Sequence, residues 1–336
     1  MASKHQLLLL DPTPPRDIEL VLSLLPDGRF DVLTPEPDGD ASDLLALAET
    51  IVTRAQPVTA RTIQASPNLR LVQKYGGRPD VLDLDAAREA GVAVALMPLC
   101  GCIAVAELAM TLLLALSKQL VEAHQATVTG AYRSLGIEPT QTSQRVHAFQ
   151  WMRLPHLQEI RGKTLGIVGF GEIGTEVAKR ARAFEMEVIY HKRRPLPEAL
   201  NERLGVRPSS LDDLLRTSDF VSLHVPHGPE TDELIGRREL DLMKPTAYLV
   251  NTCRGPVVDE QALIQALSER RIAGAGLDVF DLEPLPADSP LTRLDNVILT
   301  PHIGGGTGGA REKQMADVIG NVVRFVEGRS PLNRIV

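Results

Sequence analysis

Three separated segments of this 336-residue chain carry residue types that fit together chemically. Gly169-Phe170-Gly171-Glu172-Ile173-Gly174 can hold a pyrophosphate. Arg254, in the run Asn251-Thr252-Cys253-Arg254-Gly255, supplies a fixed cation. Glu283, and His302 within Thr300-Pro301-His302-Ile303-Gly304-Gly305, supply a carboxylate and an imidazole suited to proton transfer. A dinucleotide site, an anion anchor and an acid–base pair are the parts needed to move a hydride to or from a 2-oxo acid.

Each part has a physical reason. Arginine is permanently charged, and its planar fork matches a carboxylate and the carbonyl beside it. An imidazole ordinarily titrates near ~6.5, which suits proton transfer at neutral pH. A neighbouring glutamate favours the imidazolium and fixes the ring. Taken singly, an Arg after a strand is as readily a surface ion pair, and a His after Pro as readily a loop cap. Their conjunction at this spacing favours catalysis. His191, His224 and His227 lack such company and read as structural or cofactor-rim residues.

The glycine motif stands in the right context. It follows the apolar run Leu165-Gly166-Ile167-Val168 and opens a helix over Glu172–Phe184. Gly169 permits the tight turn, Gly171 lets backbone approach the pyrophosphate, and Gly174 lets helix and strand pack closely. Free N–H groups at the helix start then meet the anion. An NAD site usually carries an acid at the end of the next strand. Here that stretch reads Tyr190-His191-Lys192-Arg193-Arg194, without a carboxylate. Three cations suit a 2′-phosphate, so NADP(H) is the favoured cofactor, with NAD(H) possible. The alternative is a solvated basic loop.

Elements must position these groups, and strand-like and helix-like runs alternate along the chain. Leu7–Leu10, Thr50–Thr53, Arg70–Gln73 and Val92–Ala95 read as strands; Arg16–Leu25 and Leu84–Ala90 read as helices. One long buried helix is expected from about Ile103 to His124. A second α/β unit starts at Lys163, with strands at Glu187–Tyr190, Phe220–His224, Ala247–Asn251, Gly274–Val279 and Val297–Thr300. The alternation predicts parallel sheets flanked by helices. The polar, aperiodic stretch 130–158, holding the only tryptophan, Trp151, is too long for an ordinary connection. It reads as an arm that packs on a second subunit.

Composition sets the outer limits. A net charge of −7 and no long basic run argue against nucleic acid as a partner. Three cysteines make no disulfide framework, so a reducing cytoplasm is the expected setting. Cys100-Gly101-Cys102 has the wrong spacing for zinc, and no metal is expected. Leu7–Leu10 is too short to span a membrane and lacks a small-residue cleavage site, so neither a membrane nor a leader is expected.

Taken in order, the motifs resemble the D-isomer-specific 2-hydroxyacid dehydrogenase family. Supporting stretches are Gly276-Leu277-Asp278-Val279-Phe280, Val105-Ala106-Glu107, Leu223-His224-Val225-Pro226 and Met243-Lys244-Pro245, and the resemblance runs from about Thr50 to Gly328. It implies an α/β fold of two parallel-sheet domains, with a Rossmann dinucleotide-binding domain inserted into a smaller flavodoxin-like substrate domain. The expected boundaries are 1–99 with 302–336 for the substrate domain and 100–301 for the Rossmann domain. It implies a D-specific exchange of hydride between NADP(H) or NAD(H) and a small anionic 2-oxo or 2-hydroxy acid, in a homodimer. Arg254 would be the catalytic arginine, also meeting substrate, with Glu283 paired to the general acid–base His302. Asp278 would hold the nicotinamide carboxamide. Ile173, Pro226, Thr231 and Cys253 would line the cofactor groove, with Glu172, Thr252 and Gly304 beside them. Tyr75-Gly76-Gly77-Arg78 would form the loop that takes the substrate carboxylate.

The chain departs from the family pattern at two places. Arg78 stands in the carboxylate loop where a glycine is common, which could add a second positive charge for a dianion or leave only its backbone in use. Gly101 and Ala104 stand where many relatives carry Asn and Ser. That loss argues against glyoxylate and hydroxypyruvate and for a larger or more apolar C2 substituent. Oxidation of a small inorganic anion such as phosphite is the enzymatic alternative. A non-catalytic, cofactor-sensing corepressor is the alternative from another class.

Overall fold

The computed structural model describes residues 4–36, 41–77, 79, 81–97, 101–306 and 308–336. Arg78 and Cys100, singled out above, lie outside the described residues. The chain divides into two compact units, Met1–Gly101 with Thr307–Val336, and Cys102–Gly306.

The first unit holds a five-stranded sheet built from β1 (His5–Leu9), β2 (Phe30–Leu33), β3 (Thr50–Thr53), β4 (Leu71–Tyr75) and β5 (Ala93–Met97). Its order is β2-β1-β3-β4-β5, with every pair parallel. That is the doubly wound flavodoxin-like order. Most strand residues are buried on both faces, including the polar Thr50, Thr53, Gln73 and Lys74, so the strands do not alternate apolar with polar. The final helix, Ala310–Val326, packs on one face through Val318, Ile319 and Val322, against Leu7, Leu71 and Ala95. The last helix of the chain thus belongs to the first unit's core.

The second unit holds seven parallel strands: β6 (Thr164–Val168), β7 (Glu187–His191), β8 (Val206–Pro208), β9 (Phe220–Leu223), β10 (Tyr248–Asn251), β11 (Gly274–Leu277) and β12 (Val297–Leu299). Their order is β12-β11-β10-β9-β6-β7-β8. The order reverses between β6 and β9, and the crevice beyond such a reversal is where doubly wound sheets bind ligands. The helix Gly101–Ser117 lies on one face. Its Ala106, Ala109, Leu112, Leu113 and Leu116 meet Leu165, Ile167, Phe220 and Val250. The other face is covered by the helices Leu211–Thr217, Arg237–Leu242 and Glu260–Ser268.

One expectation needs correction. The helix read as continuous over Ile103–His124 is two helices, Gly101–Ser117 and Leu120–Thr129, bent by 59°. Gln119 at the break has a left-handed backbone, φ 45° and ψ 44°. The Ser117 carbonyl accepts from Gln158 N at 2.8 Å, and Lys118 Nζ donates to Gln158 O at 2.6 Å. The returning end of the 130–158 stretch therefore satisfies the broken helix end. No Pro or Gly marks the break, and Leu120 and Val121 prolong the apolar pattern although each is more than half exposed. Among the described residues no single helix is long and apolar enough to cross a membrane.

Candidate active site

The glycine turn sits where the sheet order reverses. Gly169 follows β6 with φ +93°, and a Cβ there would lie 2.4 Å from the His224 carbonyl oxygen beyond β9. Only glycine satisfies both the dihedral and the approach. Helix Glu172–Ala183 opens directly from Gly171, so its first amides face the crevice. Phe170 is buried and packs on Tyr190 with ring centroids 4.4 Å apart, locking the turn from beneath. Ile173 is half-buried against the same core. The Glu172 carboxylate accepts a hydrogen bond from the Cys102 thiol at 3.2 Å.

At the end of β7 the cations Lys192, Arg193 and Arg194 are exposed, and Arg193 pairs with Glu230. His191 Nδ1 lies 3.1 Å from the Ser209 carbonyl.

The ends of β9 and β10 carry two unsatisfied polar atoms. His224 is fully enclosed, and burial pushes its pKa down to about 3, so the ring is neutral. Its Nε2 meets Ser222 Oγ at 2.8 Å, while Nδ1 has no partner; Thr252 Oγ1 is likewise buried without one. Leu223 pairs with Asn251 in register, so His224 and Thr252 are the next residues on adjacent strand ends. Buried polar atoms rarely stay unpaired without a role. The open turn at Gly169 and these two atoms are what a nicotinamide dinucleotide site leaves for its ligand, and the residues present fit that group. Beyond β9, Thr231 Oγ1 donates to the Pro226 carbonyl at 2.6 Å and ties the loop that carries both.

Asn251, at the end of β10, builds the Arg254 segment. Its Oδ1 accepts from Cys253 N at 3.0 Å and from the Cys253 thiol at 3.1 Å, and its Nδ2 donates to Arg254 O at 3.0 Å. Burial pushes the Cys253 thiol up to about 11, against the opposing pull of the Arg254 and Val225 backbones, so it packs as a small neutral group. A Cβ on Gly255 would lie 2.0 Å from the Phe280 backbone. Glycine there lets the Arg254 segment run against the Phe280–Glu283 segment. The Arg254 guanidinium bonds Cys253 O through Nη1 at 2.5 Å, and its charge acts on Glu283.

Glu283 Oε2 lies 2.5 Å from His302 Nδ1, and Oε1 accepts from Phe280 N at 3.1 Å. Partial burial raises the Glu283 pKa. The His302 bond, the Phe280 amide and the charges of His302 and Arg254 together outweigh that and hold it below the usual carboxylate range. With Nδ1 engaged, His302 presents Nε2 outward. Asp278, just beyond β11, accepts from Thr300 Oγ1, Ile303 N and Gly304 N.

Arg254, Glu283 and His302 thus converge within the second unit, together with the glycine turn. In the first unit, Tyr75 ends β4 under the Arg54 guanidinium, 5.8 Å from the ring centroid, and Gly76 N donates to Met97 O at 2.8 Å. Gly77 follows in a bend. One contributor escaped the sequence reading as a site residue: Asn251, whose side chain builds the Arg254 turn. His224, expected as structural or cofactor-rim, carries a buried ring nitrogen without a partner. Asn251 stood inside a quoted motif, but residue type alone does not show which backbone groups a side chain grips.

Comparison with known proteins bears on the family and the fold. Residues 110–304 match the family model described as "D-isomer specific 2-hydroxyacid dehydrogenase, NAD binding domain". Glyoxylate reductase of Thermococcus litoralis is 42% identical over 287 residues, which are 85% of this chain and 82% of that protein. A solved glyoxylate reductase of Paecilomyes thermophila is 30% identical with a TM-score of 0.65, covering 100% of this chain and 99% of that one. The holo form of Rhodotorula graminis D-mandelate dehydrogenase is also 30% identical, with a TM-score of 0.66 and coverage of 100% and 98%.

Proposed function

The chain belongs to the D-isomer-specific 2-hydroxyacid dehydrogenase family and is a nicotinamide-dependent oxidoreductase of 2-oxo and 2-hydroxy acids; from that premise we propose an NADP(H)-favouring reductase with Arg254, Glu283 and His302 as its catalytic residues. The observation that carries the reading is the 2.5 Å contact between Glu283 and His302, made in the unit that also holds Arg254 and the Gly169 turn.

The bound cofactor supplies the hydride that reaches C2 of the substrate. Gly169, Gly171 and Gly174 with the first amides of helix Glu172–Ala183 would hold its pyrophosphate. Ile173, Pro226, Thr231, Thr252, Cys253, Asp278 and Gly304 would line the rest. Arg254 binds the substrate carboxylate with the outer edge of its fork and polarises the C2 carbonyl. His302 donates a proton from Nε2 to the carbonyl oxygen during reduction and takes it back during oxidation. Glu283 holds the ring through Nδ1 and balances the imidazolium. Tyr75, Gly76, Gly77 and Arg78 would contribute the carboxylate loop.

Four finer assignments rest on particular residues. Lys192, Arg193 and Arg194 stand where an acid would select NAD, and this supports preference for NADPH. Gly101 and Ala104 remove two polar side chains, which favours a bulkier C2 substituent, as in the D-mandelate dehydrogenase, whereas the 42% likeness to a glyoxylate reductase favours glyoxylate itself. The homodimer is supported by exposed Val128, Val146 and Phe149 on the helix and arm; Phe149 is 89% exposed. Free thiols at Cys102 and Cys253 suit a reducing cytoplasm.

The test is oxidation of NADPH and NADH against phenylpyruvate, glyoxylate, hydroxypyruvate and 2-ketogluconate, with the chirality of the product determined. Turnover to D-hydroxy acids, faster with NADPH, is expected. Best turnover with glyoxylate would sink the substrate assignment and leave the reaction class standing. No turnover of any 2-oxo acid would sink the catalytic reading.

A further inference from the structure

We propose that Asp278 is a positioning residue for proton transfer: its buried carboxylate grips the chain on both sides of His302 and so sets where the imidazole stands. The proposal rests on the reading of His302 as the acid–base.

Asp278 is 1% exposed. Its Oδ1 accepts from Thr300 Oγ1 at 2.6 Å and from Ile303 N at 2.9 Å, and its Oδ2 accepts from Gly304 N at 2.8 Å. One donor precedes His302 and two follow it. Between them His302 has φ +53°, a left-handed backbone that non-glycine residues adopt sparingly. Such a conformation persists only where its surroundings over-determine it. Three hydrogen bonds to one buried carboxylate do that here. Asp278 is itself anchored to the sheet, because its N–H donates to Asn251 O at 3.0 Å. The positional chain runs from β10 through Asp278 to the two flanks of His302.

Glu283 and Asp278 therefore do different jobs. Glu283 holds the ring nitrogen, which fixes rotation only once the Cα atom is fixed. Asp278 holds the Cα atom. A carboxylate offers about four acceptor positions, and three are taken, so a cofactor amide would find only one left, on Oδ2. A contact role and a gripping role make different kinetic predictions.

The experiment compares Asp278→Asn, Thr300→Val and His302→Ala in the full chain. Asp278→Asn turns one oxygen into an N–H group facing backbone donors. We expect kcat to fall about 100-fold, the scale of a misplaced catalytic group, with a larger solvent deuterium isotope effect. The NADPH dissociation constant, from fluorescence titration, reads the cofactor contact of Asp278 separately, while a misplaced His302 shows as a fall in kcat at saturating NADPH. Thr300→Val removes one donor, keeps the carboxylate, and should lower kcat by about 3- to 10-fold. A normal kcat with weakened NADPH binding in Asp278→Asn would reduce Asp278 to a cofactor contact and overturn the proposal. Should Asp278→Asn fail to fold, an unchanged kcat in Thr300→Val overturns it equally. An active His302→Ala, by contrast, overturns the acid–base reading itself.

Discussion

His302 Nδ1 and Glu283 Oε2 stand 2.5 Å apart, and that contact determines which imidazole nitrogen is available for chemistry. The second oxygen of Glu283 is held by Phe280 N, so the carboxylate cannot swing away without losing a backbone partner. Phe280 in turn backs directly onto Gly255, next to Arg254. Acid, base and cation are thus set by one packed junction between two loops.

Glu283→Gln should keep the shape of that junction and lose its charge. The variant leaves the His302 ring without the carboxylate that holds Nδ1, and kcat should fall by about 100-fold in both directions of the reaction. An unchanged kcat would remove Glu283 from the mechanism.

Stability should carry the same signature. The Glu283 pKa is raised by partial burial but is held below its ordinary value of 4.5 by His302, Phe280 N and Arg254. A depressed carboxylate contributes stability that is fully present above its unfolded pKa and is lost as pH falls through the folded one. The difference in urea midpoint between wild type and Glu283→Gln should be flat above pH 4.5 and shrink below it. A difference that grows in acid contradicts the assignment.

Arg254→Lys tests the fork. Lysine keeps the charge but cannot make two parallel bonds to a carboxylate. Loss of a charged hydrogen bond of about 1.5–3 kcal/mol corresponds to about 10- to 100-fold in kcat/KM. The cofactor KM should hardly move. Unchanged kcat/KM for the 2-oxo acid would mean that Arg254 meets no substrate.

Much of this was legible in the sequence because the chemistry imposes residue types. Gly169 announces itself, since a left-handed turn pressed against a neighbouring carbonyl admits nothing else. The strands around it are apolar on both faces and read as strands without ambiguity. Short elements with weak patterns did not. Phe30–Leu33 and Val206–Pro208 are edge strands of four and three residues, too brief to show a period. The break at Gln119 is enforced by the Gln158 amide, 39 positions away from it in sequence (158 − 119), and such long-range hydrogen bonds leave no local trace. The same applies to Asp278 and Asn251. Their motifs are visible, whereas the particular amides they grip are a property of the fold.

The basic trio gives a cofactor test with two signs. Arg193→Ala with Arg194→Ala should raise the NADPH KM by about 5-fold or more and leave the NADH KM nearly unchanged, since only NADPH carries the extra phosphate. Arg193 is paired with Glu230. Glu230 would therefore compete with a phosphate bound there, and Glu230→Gln should lower the NADPH KM by about 2-fold. Both effects should weaken as salt is added, because every partner is exposed. Equal effects on the two cofactors would make the trio a solvated loop.

Asn251, at the end of β10, is the counterpart of Asp278 just beyond β11. It is 2% exposed and makes three contacts to the two residues that lead into the catalytic turn. In Asn251→Ala the buried Cys253 amide loses its partner, and the Arg254 carbonyl keeps only the longer bond from Val257 N at 3.4 Å. Stranded buried groups cost about 1–3 kcal/mol, and the unfolding free energy should drop by that amount. Stability alone would not alter kinetics measured well below the transition. The Arg254 backbone is released as well, so the KM for the 2-oxo acid should rise at temperatures where the variant is fully folded. Asn251→Asp keeps an acceptor for the Cys253 amide but sets an oxygen against the Arg254 carbonyl. It should therefore preserve less substrate affinity than stability. A variant that is destabilised yet kinetically normal would show that Asn251 supports the sheet end without steering the guanidinium.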